Sequence, residues 1–108
     1  MVQDKVLSML GLAAKAGKVT SGDFSVEKLL SGPKARLVIL AEDASDNTQK
    51  RFKAKAAHAG CPVLVHGVKD ALGRSIGKEA RSIVAVTDEG LAAAIQQAGE
   101  SLPISSKE

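Results

Sequence analysis

Residues 36–42 read RLVILAE, with four large apolar side chains in succession, Leu37 to Leu40, between an arginine and an acid. A short unbroken apolar run suits a β-strand covered on both faces, whereas a half-solvated strand would alternate. Downstream, residues 44–60 (ASDNTQKRFKAKAAHAG) form a predicted helix with Ser45 or Asp46 as cap, Phe52 and Ala56 facing inward, and Gly60 at its end. A second strand follows at 61–67 (CPVLVHG), entered through Pro62, where a missing N–H is tolerable. Residues 68–80 (VKDALGRSIGKEA) make a short helix that breaks into a glycine-punctuated loop. Residues 82–86 (SIVAV) are a central strand, and 87–99 (TDEGLAAAIQQAG) a helix capped by Thr87 or Asp88. Upstream, residues 23–32 (DFSVEKLLSG) read as a helix with Asp23 as N-cap, Val26, Leu29 and Leu30 as its buried stripe, and Gly32-Pro33 as its stop. Before it, 19–23 (VTSGD) is a short extended piece. The first helix places Val6, Met9, Leu10 and Ala13 on one face and ends with Gly17 at C′. Strands alternating with helices predict an α/β fold, a three-layer α/β/α sandwich around a small mixed, largely parallel sheet of about four strands.

The chain of 108 residues is long enough for one modest core. One domain is expected over 1–100, with the weakly periodic 101–108 as a flexible tail. The net charge is only +3, but its distribution is uneven. Residues 1–81 carry fourteen basic and eight acidic groups, a balance of +6, and residues 82–108 one basic and four acidic, a balance of −3. The larger part is the better host for a polyanion. A single cysteine, Cys61, excludes an internal disulfide and fits a reducing compartment. No stretch approaches the roughly 20 apolar residues of a membrane span, and the N-terminus lacks a signal-peptide pattern, so a cytoplasmic, membrane-free location is expected.

Residues 72–81 (LGRSIGKEAR) look at first like a phosphate cradle. An ATP-type loop needs G-x-x-x-x-G-K-[ST] directly after a strand. Here Gly73 and Gly77 are separated by three residues, Lys78 is followed by Glu79, and the segment precedes a strand. What survives is a loop carrying Arg74, Lys78 and Arg81, suited either to an extended phosphate backbone or simply to turning in solvent. A second candidate is residues 17–28 (GKVTSGDFSVEK), where Lys18 and Lys28 flank a helix start. Unpaired N–H groups and the dipole favour a phosphate there, unless Asp23 satisfies those donors itself. His58, Cys61 and His66 lack a fourth Cys or His for a closed zinc site, so no metal or other cofactor is expected. Glu42 and Asp43 end the Leu37–Leu40 strand, where α/β enzymes often keep carboxylates. They motivate the alternative of a small enzyme or nucleotide sensor. Lys50, Arg51, Lys53 and Lys55 wrap around their helix and read as a solvated face. With no Tyr or Trp, and only Phe24 and Phe52, a sheet platform that stacks several bases is excluded.

Taken in order, LGLAAKAGKVTSG (10–22), RLVILAEDASDNT (36–48), CPV (61–63) and LGRSIGKEARSIVAVTDEG (72–90) resemble the kink-turn-binding ribosomal-protein family, most of all its bacterial YlxQ-like branch. The likeness covers about residues 5–98. The resemblance implies a three-layer α/β/α fold, no catalysis, and binding to RNA kink-turns, bends built on tandem sheared G·A pairs beside a bulge. The family's G-x-N-E-x-x-K segment, which docks on those pairs, falls on Gly22 to Lys28. Gly22 and Lys28 match, but Phe24 and Ser25 replace the Asn and Glu. A phenyl ring cannot exchange hydrogen bonds with a base edge, although it can pack on a base or sugar. The family's second contact, around the bulged nucleotide, falls on Gly77 to Arg81. The expected RNA-binding set is therefore Lys18, Gly22, Asp23, Phe24, Ser25, Lys28, Arg74, Lys78, Glu79, Ala80 and Arg81. The expected partner is a structured kink-turn RNA, ribosomal RNA among the candidates, met by a monomer. The two segments should lie side by side.

Overall fold

In the computed structural model, residues 4–100 are described, and the expected tail at 101–108 lies outside them. The elements in chain order are α1 (Lys5–Lys15), β1 (Val19–Ser21), α2 (Asp23–Leu30), β2 (Leu37–Leu40), α3 (Asp46–His58), β3 (Val63–Val65), α4 (Lys69–Ser75), β4 (Ile83–Val86) and α5 (Glu89–Glu100). All four residues of β2 and of β4 are fully buried, as their continuous apolar runs require. Successive side chains of a strand point to opposite faces, so these two strands feed two separate cores. Leu37, Ile39, Val84 and Val86 pack with Val6 and Leu10 of α1, Leu72 of α4, and Ala92 and Ile95 of α5. Val38, Leu40, Ile83 and Ala85 pack on the other face with Val26 and Leu30 of α2 and Phe52 and Ala56 of α3. The result is the three-layer sandwich, with α1, α4 and α5 on one side of the sheet and α2 and α3 on the other. Each fully buried Leu, Ile, Val or Phe contributes roughly 1.5–3 kcal/mol relative to exposure. Met9 and Leu29, expected in the buried stripes, pack only at the margins.

The sheet is mixed, with strand order β1-β4-β2-β3. β1, β2 and β3 all run the same way, which is the parallel signature the helix–strand alternation predicts. β4, however, lies between β1 and β2 and is antiparallel to both, leaving β2–β3 as the single parallel pairing. The reversal comes from the short α4: the chain folds back along it, so that Arg81 N–H reaches Lys69 O at 3.0 Å beside the start of that helix. β4 therefore sets out from the sheet end at which β3 finished. β3 is an edge strand, only partly buried, with Val65 exposed.

Caps follow the sequence in most places. Ser45 accepts from Thr48 N–H at 3.1 Å and Asp88 from Leu91 N–H at 2.8 Å. At α2 the expectation fails. Gly22, not Asp23, is the N-cap, at φ 96° and ψ 148°, and Asp23 is the first helical residue. That backbone conformation is nearly closed to residues with a Cβ, so glycine takes the cap position and leaves it without a capping side chain.

Candidate nucleic-acid interface

The strand directions bring the C-terminal ends of β1, β2 and β3, the N-terminal ends of α2, α3 and α4, and the start of β4 to one end of the sheet. The two glycine-marked segments meet there. Gly22 N–H donates to Ile83 O at 3.1 Å, which fixes the start of α2 against the start of β4. Arg81 Nε donates to Ser21 Oγ at 3.1 Å, and its Nη1 to Ala80 O at 3.1 Å, so one side chain joins the loop to the last residue of β1. Arg81 is thus half-buried and acts as a brace between the pieces, while Lys78, Glu79 and Ala80 are exposed. The loop lies directly on α4. A Cβ on Gly73 would stand 1.8 Å from Glu79 O and 3.0 Å from Ala80 Cα, so only a residue without a side chain permits that approach. Lys78 N–H also donates to Gly73 O at 2.8 Å.

On the α2 side, Phe24 is 80% exposed. Ser25 and Lys28 are exposed and line one groove with Thr20 and Lys34. Asp23 turns towards α3, its Oδ2 lying 3.1 Å from Arg51 Nη2. One expected residue, Lys18, stands apart, and another, Arg74, borders the loop from the α1 side. Lys18 precedes β1 at the end paired with Val86, and its carbonyl accepts from Thr87 N–H, whereas Gly22 follows the end paired with Val84. Four extended residues separate the two by about 13 Å. Arg74 lies in the last turn of α4, where its carbonyl accepts from Gly77 N–H at 3.1 Å, and it shares a groove with Lys15 and Gly77 on the α1 side.

Residues 4–96 match the ribosomal protein L7Ae/L30e/S12e/Gadd45 family. The chain belongs to that family. Within it, the chain stands with the YlxQ branch. It is 49% identical over 84 residues to the RNA-binding protein YlxQ of Bacillus subtilis (strain 168), covering 78% of this chain and 84% of that one. It is 31% identical over 90 residues to the RNA-binding protein YlxQ of Enterococcus faecium, covering 83% and 86% respectively. Among solved structures, a protein of unknown function from Bacillus halodurans superposes with a TM-score of 0.88 at 35% identity, over 92% of this chain and all of that one. The Giardia lamblia 15.5kD RNA binding protein shares the fold, with a TM-score of 0.76 at 23% identity, over 94% and 93% of the two chains.

Of the other residues that chemistry could use, Glu42, Asp43, His66 and Cys61 have structural partners. Glu42 Oε2 accepts from Gly67 N–H at 3.1 Å and Asp43 Oδ1 from Lys69 N–H at 2.9 Å, so both carboxylates of this family member brace the turn from β3 into α4. His66 Nε2 lies 2.8 Å from Asp4 Oδ2. Burial would raise the Asp4 carboxyl, but the Leu7 N–H and the His66 ring outweigh it and hold the group below its ordinary value. Cys61 is buried, and desolvation pushes its thiol up, away from nucleophilic use. Among the described residues no group of three His, Cys, Asp or Glu gathers to hold a metal ion, and no helix is long and apolar enough to cross a membrane.

Sequence reasoning missed Ser21 and Arg51. Neither their partners, sixty and twenty-eight residues away, nor any local pattern announces them. Gly73 carried a signal in being a glycine inside a helix, a costly choice unless backbone approaches closely.

Proposed function

We infer that this protein is a non-catalytic binder of structured RNA, and that it docks a kink-turn-type bend on the junction between the start of α2 and the loop at 77–81. The observation that carries the reading is the Arg81–Ser21 hydrogen bond, which makes one surface of two segments that the family uses together. Family membership and the RNA-binding relatives support it. The helix amides after Gly22, together with Ser25 and Lys28, meet phosphates, because unpaired donors and the positive end of the dipole coincide there. Phe24 packs on a base or sugar, and Lys78, Glu79 and Ala80 line the seat for an extruded nucleotide, with Arg81 holding the loop in place. Lys18 lies away from this seat, and Arg74 borders it beside Gly77. Kink-turns of ribosomal RNA are candidate targets, met in the cytoplasm by a monomer.

The test is a titration of the full chain with a kink-turn hairpin and with a straight duplex of equal length and charge. Tighter binding of the hairpin is expected. Equal affinity would overturn the preference for a bend, and no binding to either at low salt would overturn the RNA reading.

A further inference from the structure

At α1, α3 and α5, Asp4, Ser45 and Asp88 accept from the first-turn N–H groups of Leu7, Thr48 and Leu91. At α4, Asp43 accepts from Lys69 N–H. Among the described residues α2 is the exception, because its glycine cap has no side chain. A carboxylate nevertheless stands in its first turn. Asp23 is drawn by the helix dipole and the unpaired N–H groups towards the position a phosphate would occupy. The structure shows it held elsewhere. Arg51 Nη2 lies 3.1 Å from Asp23 Oδ2, Arg51 Nη1 lies 3.7 Å from Glu27 Oε1, and Lys55 Nζ lies 3.2 Å from Glu27 Oε2. Asp23 and Glu27 are four residues apart, as are Arg51 and Lys55, so two acids on α2 face two bases on α3. Arg51 is itself steadied. Its guanidinium lies 4.8 Å from the ring centroid of Phe52, a side chain locked in the core.

We propose that Arg51 is a positioning residue for the RNA seat, holding the Asp23 carboxylate against α3 and so keeping a negative charge off the start of α2. The inference rests on the proposed RNA-binding function of that seat. Exposed ion pairs contribute little to global stability, and these side chains are 39–48% exposed. Here the pair only has to choose between two orientations of one short side chain. Loss of Arg51 leaves Glu27 paired with Lys55 and leaves Asp23 without its partner.

The experiment compares wild type, Arg51→Gln, Asp23→Asn and the double variant, titrated with the kink-turn hairpin at low salt. Arg51→Gln should weaken binding about three- to ten-fold, the effect of one like charge a few ångströms from a phosphate in a largely aqueous setting. The double variant should recover to within about two-fold of wild type, because the two substitutions couple through a single contact. A double variant as weak as Arg51→Gln would overturn the proposal, as Arg51 would then be meeting RNA directly or supporting the fold. Unchanged binding by Arg51→Gln would overturn it too. A second measurement needs no RNA. In Arg51→Gln the amide protons of Phe24 and Ser25 should shift from their wild-type positions as the released Asp23 carboxylate turns onto them; unmoved amides would overturn the proposal. A wild type that does not bind the hairpin defeats the RNA reading alone, and the amide shifts still decide the role of Arg51.

Discussion

Phe24 is a large apolar side chain left open to solvent at the first turn of α2. A single exposed hydrophobe is ordinary, but this one stands where the family pattern has a base-reading asparagine, with Ser25 where the pattern has a glutamate. An aromatic face stacks on any base, worth about 1–3 kcal/mol per base, whereas an amide reads an edge. Phe24→Ala should therefore weaken binding of a kink-turn hairpin. The double change Phe24→Asn and Ser25→Glu should tighten it for a target with tandem G·A pairs. Both should leave the thermal midpoint nearly unmoved, since substitutions at exposed positions stay within about 0.5 kcal/mol. An unaltered affinity in the double variant would show that α2 docks by its backbone and Lys28 alone. Asp4 is a stability site instead. It caps α1 and meets His66, and its carboxyl lies below the ordinary value because the Leu7 N–H and the His66 ring outweigh burial, which acts to raise it. A group depressed on folding stabilises above its unfolded value and loses that contribution as pH falls through the folded one. Asp4→Ala should cost about 1 kcal/mol near neutral pH. The gap from wild type in urea midpoint should shrink in acid.

Helix α4 and the loop that follows it behave as one piece, because Gly73 sits beneath Glu79 and Ala80. Gly73→Ala would ordinarily favour a helix. Here its methyl group meets backbone and forces the loop outwards, costing about 1–3 kcal/mol as overpacking does. RNA affinity should fall further than the stability loss explains, since the Arg81 brace moves with the loop. Urea unfolding and hairpin titration on the same variant measure both, and a stabilised protein with intact binding would contradict this account. Such close approaches mark the boundary of what the sequence discloses. Periodicity and caps carried the helices and the buried strands, because those signals are local. The cap of α2 was misread, since Asp23 is a good capping residue in isolation and only the backbone conformation at Gly22 excludes it. The insertion of β4 between β1 and β2 was hidden for a different reason, as hydrophobicity shows that a strand is buried but not which strands flank it. Within the site, the meeting of residues 22–28 with 77–81 followed from family resemblance, whereas the pairing of Asp23 with Arg51 across twenty-eight residues had no local trace.

For the molecule as a whole, the net charge of +3 is too small for general attraction to dominate, so the placement of its cations decides how it meets a polyanion. Lys28, in the last turn of α2, and Lys78, in the loop, are exposed cations on the two segments of the proposed seat, while Lys18 stands at the far end of β1, beside Thr87 and the acidic start of α5. The separation of about 13 Å between Lys18 and Gly22, from four extended residues, exceeds the screening length of about 8 Å at physiological ionic strength. On the proposed seat, Lys18 is therefore expected to add little to the phosphate contacts. A docked bend touching three to six phosphates should give a slope of roughly −2 to −5 in a log–log plot of affinity against salt. Lys28→Ala should reduce the magnitude of that slope by about one. Lys18→Ala should leave the slope unchanged. The pair makes a ruler: equal losses from both variants would mean that the RNA follows the whole edge of β1, and a loss from Lys18 alone would move the seat to the opposite end of the sheet.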